Sequence, residues 1–333
     1  MQLVVGQQEA VNAPNVIASN VTSWTPVVLM HGSASSTATV QHTRNLLVRA
    51  MPGVYVKAIE IGNGILDSLF WPMDDQLAAF CAEMKADPKL AGGVNVLGFS
   101  QGGVLIRAYV ERCNNPPVKN LVSYLGPQMG VYGVPRICWV PYINTTLDTL
   151  VGTFIYSEWA QHLFSFAGYW RDPYQLQTYH KRCEFLPDIN NEGPEKNPAY
   201  KKNMLSLTNF AMVYSEVDQT VNPRQSSVFG SYAPDDDTKV LALEDLDLYK
   251  EDWIGLRELD ETGRLHRFGV SCYHGDYYSA CYGAALNKYV LPFLMDTWNG
   301  SVPVELDPND YDDEEGPALQ LDALPSYIRM TRE

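Results

Sequence analysis

The segment Gly93-Val-Asn-Val-Leu-Gly-Phe-Ser-Gln-Gly102 decides the fold of this chain. Its first half is an apolar run of strand length, and the residues after it, through Tyr109, repeat apolar side chains at helical spacing. Gly98-Phe-Ser-Gln-Gly102 therefore matches G-x-S-x-G at a strand-to-helix turn, the context in which the motif projects a nucleophilic serine. A chance match in a glycine turn is the alternative, and the two flanks disfavour it.

Strands and helices alternate on both sides of this segment. The other strand candidates are Thr25–His31, Val54–Ile61, Leu121–Leu125 and Phe210–Tyr214, and a last helical pattern spans about Ala280–Met295. Alternation of this kind predicts βαβ units and a mostly parallel central sheet, and with the serine motif it predicts an α/β-hydrolase fold. We expect one hydrolase domain over residues 25–299, a lead-in at 1–24 and an acidic, disordered tail at 300–333.

Residues 127–207 interrupt the alternation with a stretch rich in aromatic side chains. The apolar residues at 155, 159, 163, 166 and 170 recur at steps of three or four, which predicts an amphipathic helix covering another part of the molecule. The segment is therefore predicted to be a helical insertion over the active site. Ordinary core packing of the same residues is the alternative.

Composition excludes several classes of protein. The formal net charge of −15 disfavours nucleic acid and anionic membrane as electrostatic partners. Six cysteines form no CxxC pair and no zinc-type cluster, so we expect no metal site, and three disulfides are plausible. The first residues, MQLVVGQQEA, lack the features of a signal peptide, so either a leader was removed or the protein is cytosolic; the even cysteine count favours a removed leader. No apolar segment reaches the length of a membrane span.

A serine nucleophile requires a histidine base, which in turn requires a carboxylate to orient it. In this fold the chain order is Ser, acid, His, which leaves His266 and His274 as candidates. His266 lies in an alternating strand pattern, whereas His274 lies in a loop before the last helix, so His274 is the predicted base. Asp218 directly follows a strand and is the predicted acid. The other candidate carboxylates are Asp245, Asp247, Asp252 and the cluster at 235–237.

The oxyanion formed during acyl transfer requires two N–H donors. One comes from the residue after the nucleophile, Gln101, and the other from the loop after the first strand, where His31-Gly-Ser33 stands. Backbone N–H groups of Ser33 and Gln101 are the predicted pair. His31 itself is predicted to be structural.

The chain resembles the palmitoyl-protein thioesterases of the lysosome. The segments that carry the resemblance stay in order over roughly residues 25–297 and are Val28–Gly32, Pro52–Val56, Ile59–Gly62, Asp87–Leu90, Gly98–Gly103, Phe185–Asn190, Tyr200–Asn203 and Gly255–Asp260. The resemblance implies hydrolysis of long-chain acyl thioesters on cysteines of proteins or peptides, without a cofactor. It also implies a lysosomal or secreted protein, with sequons at Asn20, Asn144 and Asn299 as glycosylation candidates.

The same resemblance maps the family's nucleophile, acid and base onto Ser100, Asp218 and His274, and its oxyanion positions onto Ser33 and Gln101. It implies the disulfides Cys81–Cys113, Cys272–Cys281 and Cys138–Cys183, and an apolar acyl groove for which Trp159, Phe166 and Trp170 are candidates. Where this chain has Ser33 the family has a large apolar residue.

Two other functions compete with thioester hydrolysis. A lipase or carboxylesterase acting on oxygen esters uses the same triad, so the triad alone does not separate them. A noncatalytic lipid-binding protein on a hydrolase fold would be indicated by a missing triad residue, and every triad residue has a candidate here.

Overall fold

The computed structural model describes residues 23–133, 152, 154–277 and 279–300. The strands are β1 (Val27–Met30), β2 (Val56–Ile59), β3 (Val94–Phe99), β4 (Val118–Tyr124), β5 (Asn209–Ser215), β6 (Ser231–Ala233), β7 (Asp236–Leu241) and β8 (Leu265–Val270). The α-helices are α1 (Gln41–Ala50), α2 (Ile65–Phe70), α3 (Met73–Ala86), α4 (Gln101–Arg112), α5 (Glu158–Gln161), α6 (Leu176–Arg182), α7 (Leu186–Ile189), α8 (Pro198–Met204), α9 (Asp247–Lys250), α10 (Leu256–Glu261), α11 (Ala280–Ala285) and α12 (Leu291–Leu294).

Six of these strands form one sheet in the order β2-β1-β3-β4-β5-β8, and every neighbouring pair is parallel. β6 and β7 form a separate antiparallel pair. All six residues of β3 are buried, as expected for a strand covered by helices on both faces. The predicted α/β fold with a mostly parallel central sheet is therefore confirmed.

The sheet separates two hydrophobic clusters. Alternate β1 residues divide between them: Val28 and Met30 face α3 and α4, whereas Val27 and Leu29 face α1 and the C-terminal helices. This period of two is what a strand buried on both faces requires. The larger cluster also includes Trp170, Tyr179 and Phe185, so the segment between β4 and β5 packs onto the same side of the sheet as α4.

The prediction of one amphipathic helix from Ile155 to Trp170 is wrong. α5 ends at Gln161, Phe164 is extended, and a 3₁₀ turn spans Ser165–Tyr169. Gly168 in that turn packs closely on another segment, because a Cβ placed on it would lie 3.2 Å from the Cβ of Phe185. Tertiary packing at this turn replaces the continuous helix that the spacing indicated.

Two disulfide bonds link separate elements of the described chain. Cys81–Cys113 joins α3 to the residue after α4, and Cys272–Cys281 brackets the loop that holds His274, so both predicted pairings are confirmed. Cys183, one member of the third predicted pairing, is within the described residues a buried free thiol 3.2 Å from the carbonyl oxygen of Gly168, and this pairing stays a prediction. Its expected partner at position 138 lies outside the described residues, as do the lead-in to residue 22, the sequons at 20 and 144, and the tail beyond residue 300.

Candidate active site

Ser100 lies at the turn between β3 and α4. Its backbone has φ 51° and ψ −125°, a conformation that costs a non-glycine residue about 1–3 kcal/mol. The turn ends a fully buried strand and starts a helix whose residues 101–111 are all buried, so the surroundings hold it in place. The serine side chain is consequently projected away from the sheet at the N-terminus of a helix.

Two glycines allow this turn to form. A Cβ on Gly98 would lie 2.4 Å from the carbonyl oxygen of Gly102, and a Cβ on Gly102 would lie 2.4 Å from the carbonyl oxygen of His31. Both distances are far shorter than van der Waals contact, so larger residues would displace backbone. The glycines of the G-x-S-x-G motif therefore bring β1, β3 and α4 into direct contact around Ser100.

His274 connects Ser100 to Asp218. Its Nε2 lies 2.8 Å from Ser100 Oγ, and its Nδ1 lies 2.8 Å from Asp218 Oδ2. The Asp218 side chain is fully buried, and its other oxygen, Oδ1, accepts the backbone N–H groups of Thr220 and Val221. The structure therefore brings the three predicted residues together, with His274 hydrogen-bonded to both Ser100 and Asp218.

The loop that carries His274 is anchored on both sides. The Ser215 hydroxyl at the end of β5 donates to the carbonyl oxygen of Cys272 at 2.6 Å, and the Cys272–Cys281 disulfide joins this loop to α11. The Tyr277 ring packs edge-on against Phe99 on β3. Sequence analysis missed Ser215, because nothing local to it indicates a contact with a residue 57 positions away.

The other candidate residues have different partners. His266 lies on β8, where Nε2 is 2.9 Å from Asn209 Oδ1 and the ring stacks on Phe268; burial lowers its pKa to about 4. Asp252 accepts a hydrogen bond from Lys201 Nζ at 2.6 Å. Of the cluster at 235–237, Asp236 and Asp237 form the start of β7.

Ser33 and its neighbours form the loop after β1. A Cβ on Gly32 would lie 3.6 Å from Ser100 Oγ, so the loop runs beside the serine hydroxyl. His31 is buried below it, with Nδ1 2.8 Å from the Gly32 carbonyl oxygen and Nε2 2.8 Å from Glu60 Oε1. The Nε2 contact with Glu60 is short but is not aligned as a hydrogen bond.

Glu60 is the ionised partner in this contact. Burial acts to raise the pKa of its carboxyl group, but the contact with His31 and the hydrogen bonds from Thr37 outweigh burial and lower that pKa below its usual value. The carboxylate is therefore ionised at neutral pH. These two contacts hold the His31 ring in one orientation beneath the loop. This agrees with a structural role for His31, and Glu60 is a second residue that sequence analysis missed.

The three acyl-groove candidates do not lie together. Trp170 is 1% exposed and packs on Tyr132 in the core, so it does not line an open surface. Trp159 is 56% exposed and lies in a row of aromatic rings, with centroids 5.2–5.7 Å apart between neighbours. We call this row the aromatic strip; its members are Phe70, Phe154, Trp159, Phe164 and Phe166.

A separate cleft of about 700 Å³ opens between α8 and the residues around Trp253. None of the predicted site residues lines it. Among the described residues no group of three or more His, Cys, Asp or Glu side chains is arranged to hold a metal ion. In the same part of the chain, no helix is both long enough and apolar enough to cross a membrane.

Ser100 lies on a sharp turn after a central parallel strand, and a buried aspartate and a histidine follow it in the chain. The histidine is within hydrogen-bond distance of both the serine and the aspartate. This arrangement is typical of the α/β-hydrolase class. Within that class the sequence comparison is specific. A sequence model described as palmitoyl protein thioesterase matches residues 26–274. The chain belongs to this family.

Relatives of established name agree with the assignment. Palmitoyl-protein thioesterase 3 of Dictyostelium discoideum is 40% identical over 276 residues, which cover 83% of this chain and 94% of the relative. Palmitoyl-protein thioesterase 1 of Caenorhabditis elegans is 37% identical, with the same coverage of 83% and 94%. Lysosomal thioesterase PPT2 of Rattus norvegicus is 31% identical, covering 74% of this chain and 80% of the relative.

Proposed function

We propose that this protein is a serine hydrolase that removes long-chain fatty acyl groups, such as palmitate, from S-acylated cysteines of proteins or peptides. The observation that carries the proposal is the hydrogen-bonded series Ser100, His274 and Asp218 in a chain of the palmitoyl protein thioesterase family. The substrate class comes from the names of relatives that this chain matches over most of their length.

The chemistry follows from the geometry. His274 takes the Ser100 proton as Oγ attacks the thioester carbonyl, and Asp218 stabilises the imidazolium that forms. Backbone N–H groups of Ser33 and Gln101 hold the developing oxyanion. The thiolate leaves with the proton from His274, and water activated by the same histidine then releases the fatty acid.

The acyl chain is proposed to lie along the aromatic strip. Of the predicted groove residues we retain Trp159 and Phe166 and remove Trp170, which is part of the core. The strip reaches α2 through Phe70, and α2 borders the active site because Gln101 Nε2 donates to the Ser68 carbonyl oxygen at 2.9 Å. Each methylene removed from water contributes about 0.8 kcal/mol, so a long chain gains most from such a surface.

We also propose that the protein acts in the lysosome or is secreted. The PPT2 relatives are named lysosomal, and the two disulfides fit an oxidising compartment. Co-sedimentation of the expressed protein with lysosomal markers, and a mobility shift on removal of N-linked glycans, would test this. Residence in the cytosol would contradict it.

The decisive experiment compares substrates. Wild type should hydrolyse an S-palmitoylated peptide with a higher kcat/KM than palmitoyl esters of glycerol or nitrophenol, and Ser100→Ala should hydrolyse neither. A clear preference for the oxygen esters would replace the proposal by a lipase or carboxylesterase. Tight lipid binding without turnover would indicate a noncatalytic protein.

A further inference from the structure

The loop of residues 31–37, which follows β1, carries the proposed oxyanion donor Ser33. It starts at His31, directly after the last residue of β1, and ends at Thr37, four residues before α1. Ala34, in the middle of the loop, has φ 52°, a left-handed conformation that a non-glycine residue keeps only when its surroundings hold it. The position of the Ser33 N–H therefore depends on what anchors this loop.

The side chain of Glu60 contacts both ends of the loop. Glu60 follows β2 and His31 follows β1, and because Met30 pairs with Ile59 in parallel register, the two residues lie at the same edge of the sheet. Glu60 Oε1 is 2.8 Å from His31 Nε2. The other oxygen, Oε2, accepts both the backbone N–H and the hydroxyl of Thr37, each at 2.8 Å. One carboxylate thus spans the loop from its first residue to its last.

The start of the loop lies directly against the serine turn. A Cβ placed on Gly32 would lie 3.0 Å from the Cβ of Ser100 and 3.2 Å from the carbonyl oxygen of Phe99. Ser33 is the next residue, so a shift of the loop changes the distance between its N–H and the reacting centre at Ser100. A donor acts on the oxyanion only at about 2.7–3.1 Å, so even a small shift weakens it.

The other proposed donor residue, Gln101, is held by different contacts. Its buried side chain donates to the Ser68 carbonyl oxygen at 2.9 Å and accepts from the Tyr169 hydroxyl at 2.9 Å. Its backbone N–H starts α4, next to the nucleophile itself. Loss of the Glu60 contacts would therefore loosen the Ser33 side of the oxyanion site and leave the Gln101 side in place.

We propose that Glu60 is a positioning residue that places the Ser33 N–H in the oxyanion site by holding the loop of residues 31–37 at both ends. The proposal rests on the proposed function, because it takes that N–H as an oxyanion donor. The Glu60 carboxylate is ionised, so its two hydrogen bonds with Thr37 are charge-assisted and strong. Removal of one oxyanion donor costs about 10²–10³ in kcat. Loosening one without deleting it should cost less, about tenfold to hundredfold.

The test uses Glu60→Ala, with Asp87→Ala as the matched control. Asp87 is another carboxylate that accepts a hydroxyl and a backbone N–H, but its donors are Tyr55 and Lys89 rather than a residue of the loop. Glu60→Ala should lower kcat by about tenfold to hundredfold with KM nearly unchanged. Asp87→Ala should keep kcat, whatever it loses in melting temperature.

Two inhibitors show whether the loss is confined to the oxyanion. A long-chain trifluoromethyl ketone forms an oxyanion with the active serine, so its affinity for Glu60→Ala should fall by the same factor as kcat/KM. A palmityl thioether forms no oxyanion, so its affinity should not change. A role of Glu60 in general folding would weaken both inhibitors alike.

A further measurement separates this proposal from the choice of substrate. Labelling of Ser100 by a fluorophosphonate also develops charge in the oxyanion site, so Glu60→Ala should slow labelling in proportion to its loss of ketone affinity. That result supports the role of Glu60 even if wild type fails to cleave palmitoyl thioesters, an outcome that would overturn only the substrate proposal.

Thr37→Val provides a milder variant in case Glu60→Ala does not fold. It removes the hydroxyl donor to Glu60 and keeps the backbone donor, so ketone affinity should fall by a smaller factor than in Glu60→Ala, again without a change in thioether affinity. Unchanged ketone affinity in both variants, or in Thr37→Val where it alone folds, would overturn the proposal. Equal weakening of ketone and thioether, or the same loss of kcat in Asp87→Ala, would also overturn it.

Discussion

The serine turn and the segment between β4 and β5 are both well buried, but they are built in different ways. The turn joins a six-residue strand to a twelve-residue helix, and nearly all their residues are buried. The described part of the other segment has helices of four to seven residues separated by turns, although Trp170, Tyr179 and Phe185 in it are as buried as the sheet. Burial by itself does not make the structure of a segment predictable from its sequence. The structure is predictable where strands and helices are long enough for the spacing of their apolar residues to show a period.

The two regions are joined by one buried arginine. Arg107 on α4 donates to Gln128 Oε1 and Asn190 Oδ1, which lie near the two ends of that segment, and it pairs with Glu111 at 2.9 Å. All four hydrogen-bonding side chains are buried. Removing one member would leave the others buried without partners, so we expect this network to fix how the segment docks on the helix behind Ser100.

The largest expected effect is on the serine turn. Ser100→Ala should lower kcat/KM by about a millionfold, because the nucleophile and its base act as a unit, and His274→Ala should cost a similar factor. Melting temperatures should hardly change, since neither side chain fills the core. His266→Ala is the matched control and should keep its turnover rate. An inactive His266→Ala beside an active His274→Ala would contradict the assignment of the base.

Asp218→Asn should lower kcat by about 10⁴-fold, because an amide at this position favours the wrong tautomer of His274. Asp252→Asn is the control, since Asp252 is also a buried aspartate but pairs with Lys201. The control should lose stability and keep kcat. Steady-state kinetics with denaturant melts would distinguish the two, and unchanged kcat in Asp218→Asn would move the acid to another carboxylate.

In the segment between β4 and β5, the expected effect of a substitution depends on whether the side chain is buried or exposed. Trp170→Ala should cost about 3–5 kcal/mol of unfolding free energy, because it empties a large core volume. Trp159→Ala removes a half-exposed ring and should cost about 0.5 kcal/mol or less. Trp159→Ala should instead weaken turnover of palmitoyl thioesters much more than of acetyl thioesters. A uniform loss for both chain lengths would remove Trp159 from the acyl site.

The smallest effect concerns Glu111, in the network that joins the two regions. Burial raises its pKa from 4.5 to about 7, with Arg107 opposing the rise. Between these values the unfolded chain releases a proton that the folded protein keeps, so stability should fall as pH rises from about 4.5 to about 7, by at most about 3 kcal/mol. Glu111→Gln imitates the protonated form and should give a flatter profile in denaturant melts over that range. Parallel profiles for the two proteins would contradict this.

The three residues proposed as the triad could be selected from the sequence because each carries a local signal. Ser100 stands between glycines at a strand-to-helix turn, Asp218 follows an apolar strand, and His274 precedes the last helix. The contacts that orient them were not predictable. Glu60, Ser215 and Tyr169 act on residues 29, 57 and 68 positions away, measured to His31, Cys272 and Gln101, and no sequence period links such pairs.

The sequence by itself determined the parallel sheet and the serine turn between β3 and α4, because strand and helix periods and the glycine requirement of the turn are properties of neighbouring residues. Only the tertiary structure decided which aromatic side chains face solvent and which fill the core. Trp159 and Trp170 share the same chemistry and helical spacing, yet the chain turns between them, so one ring is exposed and the other is buried. Side-chain burial in short, irregular segments depends on what packs against them, and that information lies in distant parts of the chain.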